Sequence, residues 1–413
     1  MSIVTSPLPL REDRAAKRID GEGWVHERQT PISDAGVAPT PPPRRGGPFV
    51  IAAGGTGGHF FPAEALASEL VRRGQRIVLM TDARSQADRS PVFAAHERFV
   101  LSGAGIAGRG VLRAASAVVA LAAGVAQARA ILARLDAAAV VAFGGYPSVG
   151  PVLGARLLRN RPPVILHEQN AVLGRANRFL ARQATLLALS FPETARVPPG
   201  VASATVGNPV RPAIAALADR GYAPPSENSK VRLLVLGGSL GARVFSDVVP
   251  AAIALLPDAL CSRLSVVQQC RAEDLERVRT VYTAYGIDAE LAVFFPDVAE
   301  RLAAAHLVVA RAGASTVAEL TVAGRPAILV PLPSAIDDHQ SANAGALVAA
   351  RGASIIAQRD FTPEALAQRL TALLATPDLL AHAAAAARRL AGADAASRLA
   401  ELALSLMHQE IAR

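Results

Sequence analysis

The stretch FVIAAGGTGGH, residues 49–59, joins a short apolar run to a loop that contains four glycines. Pro62 follows at a position that suits a first helical turn, and apolar residues recur at helical spacing from Ala65 to Val71. The pattern predicts a strand, a glycine loop and a helix. In such a unit the loop N–H groups and the helix N-terminus favour a bound anion.

The same pattern recurs at VRLLVLGGSLGA, residues 231–242. Other short β-rich runs, separated by helical patterns, are Ile77–Met80, Val140–Phe143, Val164–Leu166, Leu264–Gln268, Leu307–Ala310 and Ala327–Val330. Alternating strands and helices predict parallel sheets covered on both faces. The predicted fold class is therefore α/β, with two doubly wound, Rossmann-like domains. Because such sheets bind ligands beyond the carboxyl ends of their strands, we expect a cleft between the domains.

Composition divides the chain into five segments. Residues 1–47 are rich in proline and arginine, show no apolar periodicity and are predicted to be a disordered tail. Residues 48–208 and 230–385 are the two predicted domains, joined by the polar, proline-containing linker 209–229. Residues 386–413 are a predicted helical segment that packs back toward the first domain.

Net charge is uneven along the chain. Residues 1–47 carry seven basic and six acidic groups (+1), residues 48–208 carry 17 and eight (+9), and residues 209–413 carry 19 and 20 (−1). The first domain therefore suggests an anionic partner, such as a phospholipid surface, a phosphorylated substrate or nucleic acid. The alternative is that arginine accumulated because of a biased genome composition, but such a bias should add positive charge equally to both halves of the chain.

Hydrophobic residues make up 51% of the 413 residues and charged residues 19%, enough to build sizeable cores. The two cysteines, Cys261 and Cys270, form neither a disulfide framework nor a zinc site, which indicates a reducing compartment. We expect no apolar run of the roughly 18 residues that a transmembrane helix needs, and no secretory signal. Neither a membrane-spanning nor a secreted protein is therefore expected.

The first glycine loop ends in His59. The spacing of the glycines in this loop fits neither the dinucleotide-binding fingerprint nor a P-loop. The glycines could be there only because a tight turn from strand to helix leaves no room for side chains. An imidazole at the tip of such a loop is suited to proton transfer near neutral pH, although a lone histidine can equally be structural. The second glycine loop, around Gly238, is a further candidate backbone cradle.

Three polar segments follow other strands. In residues 311–319, Glu319 either completes a capping box with Thr316 or accepts hydrogen bonds from a ribose diol. Residues 337–343 begin with Asp337-Asp338-His339, which suits either metal ligation or hydroxyl recognition, and no second cluster supports a metal. His167-Glu168-Gln169-Asn170 is either a cleft segment or a solvated loop.

Seven motifs occur in order: GGTGGHFFPA from Gly54, GGYPSVGP from Gly144, HEQNAVLGRANR from His167, GNPVR from Gly207, GGSLGAR from Gly237, RAGASTVAEL from Arg311 and DDHQSANA from Asp337. Together they resemble the MurG family over about Pro48 to Leu406. The resemblance implies a GT-B fold and an inverting transfer of N-acetylglucosamine from UDP-N-acetylglucosamine to muramyl-pentapeptide pyrophosphoryl-undecaprenol (lipid I). The product would be lipid II, for peptidoglycan.

The resemblance also implies roles for matching residues, with His59 as the general base. Glu319 would hold the ribose, and Gln340 and Asn343 the sugar hydroxyls. The whole donor-binding set would be Thr56, Gly57, Gly58, Asn170, Arg211, Gly238, Ser239, Phe295, Ala314, Ser315, Thr316, Glu319, Gln340 and Asn343. The acceptor side would comprise Gly55, Gly144, Tyr146, His167, Glu168 and Gln169. The sequence departs from the family at Leu240 and His339, where glutamine occurs in relatives.

A lipid acceptor implies a peripheral protein on the cytoplasmic face of the cell (inner) membrane. The predicted membrane patch is the arginine-and-apolar segment Arg109, Val111, Leu112 and Arg113, whereas Val118 and Leu121 are interpreted as the buried face of a helix. The implied partners are UDP-N-acetylglucosamine, lipid I and an anionic phospholipid surface, without nucleic acid, metal or cofactor.

Two other classes of function stay open at this point. One is another UDP-sugar enzyme on the same scaffold, such as a 2-epimerase or a glycolipid synthase. The other is a non-catalytic protein that binds nucleotide sugar or phospholipid. An NAD-dependent oxidoreductase is disfavoured because neither glycine loop has the dinucleotide fingerprint.

Overall fold

The computed structural model describes residues 46–54, 57–83, 85, 87, 90–102, 111–238 and 241–411, with backbone only for 111–115 and 409–411. The strands of this part are β1 Phe49–Ala52, β2 Ile77–Thr81, β3 Arg98–Val100, β4 Ala139–Ala142, β5 Val164–Glu168, β6 Leu186–Leu189, β7 Ser203–Thr205, β8 Val231–Leu236, β9 Leu264–Gln269, β10 Asp288–Ala292, β11 Leu307–Ala310, β12 Ala327–Leu329 and β13 Ala353–Ile355. The predicted disordered tail, residues 1–47, lies almost wholly outside the described residues.

The strands form two parallel sheets, ordered β3-β2-β1-β4-β5-β6-β7 and β10-β9-β8-β11-β12-β13. In the first, Phe49 of β1 aligns with Ile77 of β2 on one side and with Ala139 of β4 on the other. In the second, β8 likewise lies between β9 and β11. In both sheets the strand order reverses at the strand that precedes a glycine loop, which is the switch point where such sheets bind ligands. The prediction of two doubly wound sheets is confirmed.

Helices follow most of the strands, as crossover connections between parallel strands require, and the last three helices follow the final strand. They are α1 Gly57–Arg72, α2 Pro91–Ala94, α3 Val111–Leu135, α4 Val149–Arg156, α5 Arg175–Leu180, α6 Pro212–Ala215, α7 Arg243–Ala254, α8 Asp258–Cys261, α9 Leu275–Ala284, α10 Val298–Ala304, α11 Ala314–Ala323, α12 His339–Ala349, α13 Pro363–Leu374, α14 Pro377–Arg389 and α15 Ala395–Ile411.

The sequence pattern finds the central strands and misses the edges. Val231–Leu236 and Leu307–Ala310 are predicted with the observed bounds, and the other predicted strands agree within two residues. The missed strands are β3, β6, β7, β10 and β13. Four of these are the outermost strands of the two sheets, and they carry half-exposed or exposed residues instead of continuous apolar runs.

Each sheet has a hydrophobic core on both of its faces. The final helix, α15, belongs to a core of the first sheet, although it follows the second sheet in the chain. Its Leu399, Ala400, Ala403 and Met407 are buried in the same cluster as Leu66 of α1. The last helix therefore ties the end of the chain to the first sheet.

Helix α3 contradicts the expectation that the chain has no apolar run long enough for a transmembrane helix. By length and composition its segment Ser116–Leu135 could cross a membrane, because alanines and valines keep the mean hydropathy at 1.7. The helix lies against α4, where a Cβ added to Gly154 would be 2.9 Å from the backbone nitrogen of Arg129. Only 22% of the apolar window is buried, so α3 is a surface helix of the first domain.

The outer face of α3 is apolar. Val118 and Val119 are 62% and 68% exposed, so the interpretation of Val118 as a core residue is wrong, whereas Leu121 does pack against the core. Arg109 lies outside the described residues. The side chains of Val111, Leu112 and Arg113 also lie outside them, although the backbone of these residues begins α3.

Candidate active site

The carboxyl end of β5 joins the first glycine loop through a chain of hydrogen bonds. His59 lies in the first turn of α1, and its Nδ1 is 2.8 Å from Oε1 of Gln169. Nε2 of the same Gln169 lies 2.9 Å from Nδ1 of His167, and Nε2 of His167 lies 3.0 Å from the carbonyl oxygen of Gly207. The candidate base and two of the predicted acceptor-side residues are thus directly connected.

His167 has no solvent exposure. Burial lowers the pKa of this imidazole to about 4, and the carbonyl of Gly207 and the carboxylate of Glu168 only partly oppose that shift. His167 is therefore neutral at physiological pH, with one ring nitrogen as a donor and the other as an acceptor.

Glu168 organises the turn that follows β5. One of its carboxylate oxygens accepts hydrogen bonds from the backbone and side-chain nitrogens of Asn170, and the other accepts from Gly174 N and Asn177 Nδ2. Glu168 and Gln169 are 2% and 1% exposed, so the alternative of a solvated loop is wrong. The segment is a rigid, buried edge of the cleft.

Gly144 and Tyr146 lie on the neighbouring loop after β4. Gly144 has a φ of +82°, and a Cβ there would be 3.1 Å from the amide of Asn177, so the position favours glycine on both counts. Tyr146 begins a short helical turn and lines a shallow open pocket together with Thr81 and Ser102. The pocket therefore combines an aromatic residue from this loop with hydroxyl side chains from the end of β2 and from the segment after β3.

Hydrogen bonds join the carboxyl edges of the two sheets. Oδ1 of the fully buried Asn343 accepts from Ala171 N at 2.8 Å, and its Nδ2 donates to Asn170 Oδ1 at 3.1 Å and to Ala312 O at 3.2 Å. Every polar atom of this amide is engaged, and Asn170 is engaged with it. Asn170 and Asn343, both expected to contact the donor, thus join the carboxyl edges of the two sheets in this structure.

Glu319 and Arg211 meet in the same cleft. Arg211 Nη2 donates to Glu319 Oε1 at 3.2 Å, and the guanidinium lies over the ring of Phe61, 4.4 Å from its centroid. Burial raises the pKa of the Glu319 carboxyl, and Arg211 opposes that rise. The capping-box hypothesis is wrong, because α11 begins at Ala314 with Gly313 as its cap and Glu319 lies in its second turn.

The remaining donor-side residues lie around this pair. Ala314, Ser315 and Thr316 form the first turn of α11, and Ser315 Oγ donates to Gly58 O at 3.4 Å. Gly57 and Gly58 begin α1, and Gly238 has a φ of +84°. Phe295 is buried, and its ring lies beneath the guanidinium of Arg301. Oε1 of Gln340 accepts a hydrogen bond from Leu332 N at 2.9 Å. Gly55, Thr56, Ser239 and Leu240 lie outside the described residues.

Asp337 has a role that the sequence did not reveal. Its carboxylate oxygens lie 2.6 Å from Arg178 Nη2 and 2.5 Å from Arg196 Nη1, both arginines of the first domain. The hydrogen bond from Arg196 and the charge of Arg178 hold the pKa of this carboxyl below its usual value. Asp337 therefore links the two sheets, and the described residues contain no group of three or more His, Cys, Asp or Glu that could hold a metal.

Comparisons with known proteins agree with this architecture. The glycosyltransferase family 28 N-terminal domain matches residues 49–188, and the family 28 C-terminal domain matches residues 232–399. A crystal structure of Acinetobacter baumannii MurG is similar with a TM-score of 0.70 and 30% identity, over 86% of this chain and 99% of that one. The two sheets and the cleft between them define a glycosyltransferase of the GT-B type.

Two curated relatives carry the name UDP-N-acetylglucosamine–N-acetylmuramyl-(pentapeptide) pyrophosphoryl-undecaprenol N-acetylglucosamine transferase. The protein from Granulibacter bethesdensis is 65% identical over 86% of this chain and 92% of its own length. The protein from Acidiphilium cryptum is 56% identical over 88% of this chain and 98% of its own length. The chain belongs to the MurG family.

A structure of a UDP-N-acetylglucosamine 2-epimerase from Neisseria meningitidis is also similar, with a TM-score of 0.61. Its identity to this chain is 12%, so the likeness shows a shared fold alone.

The buried His167 predicts a specific acid sensitivity. Its pKa in the folded protein, about 4, lies below the ordinary value of 6.5, so between these pH values the unfolded chain binds a proton that the folded chain does not. The resulting stability is present above pH 6.5 and is lost as the pH falls toward 4, by about 3 kcal/mol in all. Thermal melting at pH 7 and pH 5 should show a smaller acid loss in His167→Gln than in the unmodified protein. The exposed control His382→Gln should keep the full loss; an equal loss in His167→Gln would contradict this account.

Proposed function

We propose that this chain transfers N-acetylglucosamine from UDP-N-acetylglucosamine to muramyl-pentapeptide pyrophosphoryl-undecaprenol, lipid I, and so makes lipid II for peptidoglycan. The names of the relatives that align over 86–88% of the chain support these substrates. The structural observation that carries the proposal is the contact between Ser315 Oγ and Gly58 O. Through it the first turn of α11, a phosphate-binding element in the proposal, meets the first turn of α1, which presents His59.

The proposed reaction is a single displacement with inversion. The 4-hydroxyl of the acceptor sugar attacks the anomeric carbon of N-acetylglucosamine, and the bond from that carbon to the UDP oxygen breaks. His59 takes the hydroxyl proton as general base, a role that typically contributes on the order of 10²–10⁴-fold in rate. UDP leaves with the bonding electron pair and so gains negative charge.

Groups of the second domain stabilise that charge. The N–H groups and dipole of α11 suit the departing diphosphate, and Arg211 supplies a cation beside them. Glu319 is assigned to the ribose hydroxyls, the loop at Gly238 to the pyrophosphate, and the backbone at Phe295 to the uracil. With these groups in place the proposed transfer needs no metal ion.

The acceptor is assigned to the first domain. The loop that carries Gly144 and Tyr146 and the buried edge formed by His167, Glu168 and Gln169 border the side of the cleft where His59 lies. Because the acceptor is lipid-linked, we place the enzyme at the cytoplasmic face of the inner membrane as a peripheral protein. The exposed apolar face of α3 supports that placement, together with the net charge of +9 on residues 48–208.

The first test is UDP release with a short-chain lipid I analogue. We expect release only when donor and acceptor are both present, and a loss of turnover of about 10²-fold or more in His59→Ala with nearly unchanged UDP affinity. The exposed control His382→Ala should keep full turnover. Donor epimerisation without acceptor would instead indicate a 2-epimerase, and binding without UDP release would indicate a binding protein.

The second test concerns the donor. Removing the Glu319 carboxylate should weaken the affinity for UDP-N-acetylglucosamine by about 10–100-fold, because hydrogen bonds to charged groups contribute about 1.5–3 kcal/mol. Titration calorimetry on Glu319→Gln measures this loss, and Glu300→Gln, an exposed change on α10, is the matched control. Unchanged donor affinity in a folded Glu319→Gln would remove Glu319 from the donor site.

The third test concerns the membrane. We expect the protein to bind anionic vesicles and to bind more weakly as salt rises, since basic residues near an anionic surface contribute about 1 kcal/mol each. The double change Val118→Asp, Val119→Asp should weaken this binding, and UDP affinity should stay intact. The control pair is Leu379→Asp on α14 with Leu390→Asp, the residue that caps the end of α14. Equal binding to neutral and anionic vesicles would refute the electrostatic part of the proposal.

A further inference from the structure

The polarity of the hydrogen-bond chain that ends at His59 follows from two backbone carbonyls. A carbonyl oxygen only accepts, so Nε2 of His167, 3.0 Å from Gly207 O, must carry a hydrogen. In a neutral imidazole Nδ1 is then the acceptor. This assignment matches the neutral state that burial imposes on His167.

The amide of Gln169 is oriented by the same reasoning. Its Nε2 lies 2.9 Å from the accepting Nδ1 of His167 and 3.1 Å from the carbonyl oxygen of that residue. Both neighbours accept, so the NH₂ group must occupy this position and Oε1 must face His59. A reversed amide would direct an oxygen at two acceptors.

The orientation of the amide then selects the tautomer of His59. Oε1 of Gln169 lies 2.8 Å from Nδ1 of His59 and can only accept, so Nδ1 carries the hydrogen and Nε2 of the neutral ring has the lone pair. That nitrogen lies beside Gly145, where an added Cβ would be 3.5 Å from it. The absence of a side chain at Gly145 keeps the space beside the lone pair open.

We propose that Gln169 is a positioning residue that holds His59 in the Nδ1–H tautomer, so that Nε2 is the atom that takes the proton of the acceptor hydroxyl. The role of Nε2 in proton transfer rests on the proposed function, whereas the tautomer of His59 follows from the hydrogen bonds alone. After the transfer, the Nδ1–H of the imidazolium still donates to a neutral amide. Gln169 therefore orients His59 without adding a negative charge that would raise the proton affinity of the ring.

The neighbouring titratable groups leave this assignment intact. His167 is neutral, and Glu168 directs its oxygens at Asn170, Gly174 and Asn177. Tyr146 follows Gly145 on the adjacent loop. Across the cleft, the carboxylate of Glu319 is paired with Arg211.

The tautomer can be measured without any substrate. In protein labelled with ¹⁵N-histidine, two-bond ¹H–¹⁵N spectra near pH 7.5 distinguish a protonated ring nitrogen from a bare one, and the missing signal in His59→Gln identifies His59 among the eight histidines. We expect bare Nε2 in the unmodified protein and a shift toward bare Nδ1 in Gln169→Leu. Bare Nδ1 in the unmodified protein, or the same tautomer in both, would overturn the proposal.

The near-isosteric Gln169→Glu gives a second readout if Gln169→Leu does not fold. A carboxylate at Nδ1 should raise the pKa of His59, moving its NMR titration and the acid limb of kcat/KM upward by about 1 pH unit or more. Gln75→Glu, at the amino-terminal edge of the first sheet, adds the same charge and should move neither. A purely structural role for Gln169 would lower the melting temperature with no shift of the limb, which would refute the inference. Absence of acceptor-dependent UDP release by the unmodified enzyme would instead refute the proposed function and leave the NMR result standing.

Discussion

Parallel strand pairing is the constraint on which the site depends. In each sheet every strand runs in the same direction, so all loops that follow strands emerge at one edge. That edge receives His59 after β1, Tyr146 after β4, Gln169 after β5 and, in the second sheet, the first turn of α11 after β11. Residues far apart in sequence thus meet without any direct chain connection. The first turn of α1, which begins with two glycines, places His59 close enough to the end of β5 to contact Gln169.

The central part of the fold could be predicted because buried parallel strands are continuous apolar runs. VRLLVL and LVVA are such runs, and both are too short for a typical helix, so they predict buried strands. The glycine loops mark the switch points. The edge strands β3, β7, β10 and β13 lack that signal because one side of each strand has no neighbour to bury it. The expectation that no apolar run reaches about 18 residues is wrong at α3, because alanine is only weakly apolar in a sequence pattern but strongly favours a continuous helix.

The candidate site was predictable as a set of residues but not as a set of contacts. Motif order identified His59, Glu319 and the run from His167, yet a motif contains no information about which side chain faces which. Asp337 shows the difference: beside another aspartate it suggested a metal ligand, and its actual partners, Arg178 and Arg196, are about 140–160 residues earlier in the chain. Glu319 fits a capping box only if α11 begins three residues later than it does, with Thr316 instead of Gly313 as its cap.

The contacts across the cleft also bear on how a substrate enters. Asp337 contacts two arginines whose side chains are 28% and 48% exposed, and water screens ion pairs with such exposure, so each contributes little. The buried amide of Asn343 adds hydrogen bonds between the two sheets that typically contribute about 0.5–1.5 kcal/mol each. By contrast, the hydrogen bonds that run from Gly207 through His167 and Gln169 to His59 lie entirely within residues 59–207, so the orientation of His59 depends on none of the contacts that join the two sheets.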